Sequence, residues 1–182
     1  MINSLSTKFL ISLSFLLNIT ILQSQKSDIW SDDNFTGLEF RSIGPALMSG
    51  RISDIAIHPE DENTWYVTVG SGNVWKTQNS GITWDPIFDD QASYSIGCVT
   101  IDPNNPEVIW IGTGEDQGGR HFGYGDGIYK SLDGGKNWTN MGLKNSERIS
   151  KIVIHPNNSN MVWVAVQGPL WSSGGQRGLY KT

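Results

Sequence analysis

One nine-residue phrase recurs in this chain and constrains its fold more than any other feature. Arg51-Ile-Ser-Asp-Ile-Ala-Ile-His-Pro59 returns as Ser95-Ile-Gly-Cys-Val-Thr-Ile-Asp-Pro103 and again as Arg148-Ile-Ser-Lys-Ile-Val-Ile-His-Pro156. After each comes an aromatic that opens a second apolar run, at Tyr66, Trp110 and Trp163. A tetrad of apolar, aromatic, Lys and hydroxyl residues follows: Val74-Trp75-Lys76-Thr77, Ile128-Tyr129-Lys130-Ser131 and Leu179-Tyr180-Lys181-Thr182. A repeat of roughly 45–50 residues made of short strands signals a propeller or a similar array.

Each repeat reads as four short strands, in the first copy 52–57, 64–69, 73–77 and 82–87, divided by Gly, Pro and Asn/Asp clusters. The first two strands of each copy are nearly continuous apolar runs, so their sheets need cover on both faces, as stacked blades provide. No segment has helical periodicity. The expected class is all-β, a partial propeller of four-stranded antiparallel blades over 38–182, with repeat one at 51–88, repeat two at 95–142 and part of repeat three at 148–182. Two repeats and a fraction do not close a ring of about 4–8 blades. The expectation is therefore an N-terminal fragment completed by further C-terminal blades of the same chain, or a ring assembled from several chains. Residues 38–43 resemble a fourth strand, with Phe40 placed like Trp84, yet no Asp/Gly turn precedes them. They are expected to complete the last blade as its outer strand, which would remove an open edge; an irregular arm is the other reading.

The first residues set the compartment. Lys8 precedes an apolar run over 9–22, too short for a membrane span of about 20 residues, and Ser24 suits cleavage. Residues 1–24 are expected to be a signal peptide, with an uncleaved anchor as the alternative, and 25–37 an N-terminal arm. The expected location is secreted or extracytoplasmic, the periplasm or cell surface if the source is bacterial. The formal charge of −5, without a basic cluster, argues against nucleic acid as a partner. Cys98 is the sole cysteine, so no intrachain disulfide forms, and its apolar setting reads as a buried hydrophobe. No cofactor is expected and no metal-ligand spacing is present.

The turn between strands three and four is the most specific element. It reads Ser131-Leu-Asp133-Gly-Gly135-Lys-Asn-Trp138, and earlier Thr77-Gln-Asn79-Ser-Gly81-Ile-Thr-Trp84. The Asp or Asn side chain can accept turn amides, Gly supplies positive φ, and Trp folds back over the turn. This turn resembles the Asp-box, or BNR repeat, of sialidases, sortilin-type propellers and several glycoside hydrolases. The resemblance implies that Thr77, Asn79, Gly81, Trp84, Ser131, Asp133, Gly135 and Trp138 are structural. Asn79 and Ser80 depart from the pattern. Over 38–182, with Ser42-Ile-Gly-Pro-Ala46 and Ser49-Gly-Arg51-Ile52, the chain is similar to sortilin-like N-terminal propellers of exported bacterial proteins often labelled glycosyl hydrolases.

Up-and-down connectivity puts the loops between strands two and three at the opposite end from the Asp-box turns. Repeat one has a bare Gly70-Ser-Gly72 there, whereas repeats two and three carry insertions over 114–127 and 167–177. Insertions on one face of an array often mark its binding face. Candidate ligand contacts are Arg120, His121, Tyr124 and Asp126 in the first insertion, Trp171 in the second, and Arg51 and Arg148 at the start of the innermost strands. Glu115 and Asp116 are weak catalytic candidates. The related xyloglucan-degrading enzymes use a pair of aspartates, one near the end of strand two of an early blade. Here that stretch, Thr68-Val-Gly-Ser-Gly72, has no acid. Two functions follow: a propeller that binds a peptide, protein or glycan on its insertion-bearing face, non-catalytic in this segment, or a xyloglucanase- or sialidase-like glycoside hydrolase with carboxylates partly outside it.

Overall fold

A computed structural model describes residues 50–116 and 122–182, which belong to one unit, Ser42–Thr182. The expected signal peptide, arm and outer strand 38–43, together with Arg120 and His121, lie outside the described residues.

Among the described residues, three antiparallel sheets follow in chain order. Blade one contains β1 (Ile52–Ile57), β2 (Trp65–Val69), β3 (Asn73–Thr77) and β4 (Asp85–Pro86). Blade two contains β5 (Ile96–Asp102), β6 (Asn105–Thr113), β7 (Ile128–Ser131) and β8 (Thr139–Gly142). Blade three contains β9 (Ile149–His155), β10 (Asn158–Val166) and β11 (Gly178–Lys181). Within each sheet the strands pair in sequence order, the up-and-down pattern of a propeller blade. The fourth strand of blade one is shorter than the expected 82–87. The turn that resembles an Asp-box binds the Thr83 amide to the Asn79 side chain, and Pro86 has no N–H with which to extend the ladder.

The apolar strands find their two-sided cover only where blades flank them. Between blades one and two lie Tyr66, Val74, Phe88, Ile96, Val99, Ile109, Ile111 and Tyr129. Between blades two and three lie Cys98, Trp110, Ile128, Ile149, Ile152, Val162 and Val164. Val99 of the middle blade is 3 % exposed, while Ile55, at the same repeat position in blade one, is 52 % exposed. Val153 on the far side of blade three is 51 % exposed. The same residue pattern is thus buried or bare according to whether a neighbouring blade covers it.

The innermost strands β1, β5 and β9 converge on a shared cavity lined by Asp54, Ile57, Thr100, Lys151 and Val153. Gly97 makes this approach possible: a Cβ there would lie 2.1 Å from the Ile149 carbonyl oxygen. Asp54 accepts the Val99 amide at 3.3 Å and meets the Lys151 ammonium at 3.5 Å, joining all three blades.

The recurrent tetrad has a physical explanation. Its Lys is the direct cross-strand partner of the aromatic that opens strand two: Lys76 with Tyr66, Lys130 with Trp110 and Lys181 with Trp163. In each pair the ammonium sits over the ring, at 5.2, 4.9 and 5.7 Å from the centroid. A cation over an aromatic face is attracted by the ring quadrupole. Lys76 also donates to the Gly134 carbonyl at 3.0 Å, so one lysine serves its own blade and the next.

Candidate functional site

The two ends of the blades are chemically distinct. At one end are the Asp-box-like turns, 77–84 and 131–138. Asp133 Oδ1 accepts the amides of Lys136 at 3.1 Å and Asn137 at 2.9 Å and the Ser131 hydroxyl at 2.8 Å, while Oδ2 accepts Asn137 Nδ2 at 2.7 Å. These bonds, the Asn137 side chain foremost, hold the Asp133 carboxyl down at about 2. Asn79 makes the matching bond to the Thr83 amide at 2.8 Å, and Ser80 and Gly81 adopt φ of 56° and 88° where Gly134 and Gly135 have 69° and 93°. Gly81 and Gly135 donate their amides to Thr77 and Ser131 at 2.9 Å each. Trp138 stacks edge-on to Phe88 and donates its indole N–H to the Ile87 carbonyl of blade one at 2.7 Å. Trp84 instead donates to Gly81 within its own turn. The hydroxyl, Asp/Asn and indole groups of these turns are engaged in shaping them.

His58, Asp102 and His155 lie at this same end. Each accepts a backbone amide two residues on, from Glu60, Asn104 and Asn157. Imidazole and carboxylate interchange in the repeat because either can accept that bond.

The other end carries the insertions, and hydrogen bonds stitch them to the segments entering each blade. Gly125 donates to the Glu147 carbonyl at 2.7 Å, just before β9, and the Asn145 amide donates to Gln176 Oε1 at 2.9 Å. Both insertions therefore border the segment leading into blade three. Tyr124 and Trp171 are 60 % and 73 % exposed. Trp171 borders an open cavity of about 560 Å³ with Leu170, Ser172, Ser173 and Arg177.

The structure separates the charged candidates. Glu115 is not a loop carboxylate open to solvent; it is 1 % exposed. Its Oε1 accepts Nε of Arg51 at 2.6 Å and is in contact with Nη2 as well, whereas Oε2 has no hydrogen-bond partner among the described residues. The Arg51 side chain is 46 % exposed. The ion pair ties the first strand of blade one to the root of the blade-two insertion. Arg148, at the equivalent position, behaves differently. It is buried, donates Nε and Nη2 to the Gly168 carbonyl of its own blade at 2.9 and 2.7 Å, and lies over the Phe122 ring at 5.4 Å. Asp126 Oδ2 accepts the Tyr129 hydroxyl at 2.6 Å. Asp116 is half-buried beside Glu115.

Ser95 was not legible as a site residue, although it stands where the other repeats have arginine. Its hydroxyl lies 2.7 Å from the Gly70 carbonyl and 2.9 Å from that of Gly123, and it accepts the Glu115 amide at 3.0 Å. The replacement of a repeated arginine was the available signal. A small hydroxyl leaves room for Glu115 to turn inward towards Arg51.

No protein-family model and no curated protein matches the chain. Among solved structures it is similar to an ancestral GH74 enzyme, at 18 % identity and a TM-score of 0.56, over 72 % of this chain and 17 % of that one. A GH74 enzyme from Niastella koreensis shares 27 % identity at a TM-score of 0.53, over 70 % and 19 %. The GH74 xyloglucanase from Xanthomonas campestris shares 18 % identity at 0.52, over 70 % and 20 %. The chain is a partial β-propeller. It spans about a fifth of the length of these enzymes.

Proposed function

We propose that this chain forms blades of an exported, sortilin-like propeller that binds a glycan on its insertion-bearing face, and that its own carboxylates serve structure. The carrying observation is the pair of exposed aromatics, Tyr124 and Trp171, one on each insertion at the same end. An exposed aromatic ring offers a pyranose a flat apolar face at little cost in conformational entropy. A glycan is taken as the ligand in line with the similarity to the GH74 enzyme from Niastella koreensis, at 27 % identity.

A second reading, glycoside hydrolysis, draws on the same relative. Inverting hydrolysis needs two carboxyls about 6.5–9.5 Å apart. Glu115 is buried against Arg51 and Asp126 accepts the Tyr129 hydroxyl; Asp116, half-buried beside Glu115, is the acid to test, and this reading requires a partner carboxyl from other blades.

Calorimetric titration of the full-length protein with cellotetraose and a xyloglucan oligosaccharide tests both readings. Trp171→Ala is expected to weaken binding about tenfold, or ~1.4 kcal/mol, with no sugar released. Unchanged affinity in Trp171→Ala and Tyr124→Ala rejects the binding face. Hydrolysis that disappears in Asp116→Asn while affinity persists establishes the enzyme instead.

A further inference from the structure

The blade-two insertion is cinched at a neck. The Glu115 amide donates to the Gly123 carbonyl at 3.2 Å, and the Ser95 hydroxyl lies within hydrogen-bond distance of both groups. Gly70 of blade one lies directly against this neck, for a Cβ there would be 2.7 Å from the Glu115 carboxylate. The Glu115 side chain then leaves its own blade and ends on Arg51, 64 residues earlier. Beyond the neck, the Tyr124 carbonyl accepts the Ser93 hydroxyl at 3.2 Å, and Gly125 pairs with Glu147. The exposed Tyr124 ring is thus carried on a backbone held from three sides, and one of those holds reaches across a blade boundary.

We propose that the Arg51–Glu115 pair is a positioning clasp: it fixes the neck of the insertion, and through it the orientation of Tyr124 towards the glycan. This inference rests on the glycan-binding reading for its ligand. The pair touches no ligand itself. Two donors of one guanidinium converge on a single buried carboxylate oxygen, which restrains the position of that oxygen and of the backbone that carries it. Replacing that restraint with a looser contact transfers the ordering of the neck to the binding step, a cost on the order of tenfold in affinity.

Two measurements on the full-length protein test the clasp, using Arg51→Gln together with Glu115→Gln, which removes both charges and keeps a hydrogen-bonding pair. The first, hydrogen exchange without ligand, is expected to show faster exchange of the amides of residues 115 and 125, which donate at and just beyond the neck, while the turn amides of residues 135–137 in blade two stay protected. The second, cellotetraose titration, is expected to show about tenfold weaker binding. That loss should vanish in a Tyr124→Ala background and persist in a Trp171→Ala background. Unchanged exchange at the neck overturns the clasp. So does an equal loss of affinity in all backgrounds, which marks general loosening. If wild-type protein binds neither oligosaccharide, the function proposed above fails, and the exchange measurement still decides whether the clasp orders the neck.

Discussion

Arg51 and Glu115 form one ion pair, but removing one partner is expected to cost far more than removing the other. The carboxylate is 1 % exposed, whereas the arginine side chain is 46 % exposed. Arg51→Ala leaves a buried carboxylate that has lost its one ion-pair partner among the described residues, where its second oxygen already had no hydrogen bond. Breaking a fully buried pair costs about 3–5 kcal/mol, an upper bound here because the arginine half of the pair is 46 % exposed. Glu115→Gln leaves a guanidinium that water can reach, and the amide oxygen can still accept from it. Its expected cost is that of exchanging a charge-assisted bond for a neutral one, about 1 kcal/mol. The double Gln variant should fall near the Glu115→Gln value. Urea unfolding followed by tryptophan fluorescence reads all three, with midpoints compared at constant slope. Equal costs for the two single changes, or a larger cost for Glu115→Gln, would refute the assignment of burial to the carboxylate side of the pair.

Three further outcomes are expected. Asp133 sits at about 2 in the folded chain against a usual 3.8, so its contribution to stability is present above pH 3.8 and lost as pH falls through 2; acid titration of melting temperature should show this component in wild type and not in Asp133→Asn. Gly97→Ala forces a Cβ to within 2.1 Å of the Ile149 oxygen, and the resulting shift of β5 against β9 should lower unfolding stability by about 1–3 kcal/mol or more. Trp138→Phe loses the bond to the Ile87 carbonyl across the blade boundary and should cost about 1 kcal/mol or more, while Trp84→Phe, which loses a bond inside an exposed turn, should cost clearly less in the same assay.

The three-blade arrangement was legible because the repeat is written in contacts that recur at fixed sequence distance. The hydroxyl and Asp/Asn of each Asp-box lie within four residues of the amides they accept. The tetrad lysines face their aromatics across a single hairpin. The expected strand 82–87 of blade one is longer than the observed Asp85–Pro86, because apolar residues at 82, 84 and 87 do not reveal that the turn consumes the first part of that stretch. At the insertion face the residue types were visible and their roles were not. Glu115, Asp126 and Tyr124 share one glycine-rich stretch, yet the first is buried in an ion pair, the second accepts a tyrosine hydroxyl and the third is bare.

The sequence by itself determined the all-β class, the phase of the blades and the shape of the turns between strands three and four, since each depends on local hydrogen bonding and on alternation along a strand. The tertiary structure alone decided which apolar faces are covered, why Arg51 and Arg148 part company at one repeat position, and that Glu115 turns inward. Those outcomes depend on contacts between blades tens of residues apart. There, desolvation of a charge and the space left by Ser95 and Gly70 set the result, and neither is encoded in the neighbours along the chain.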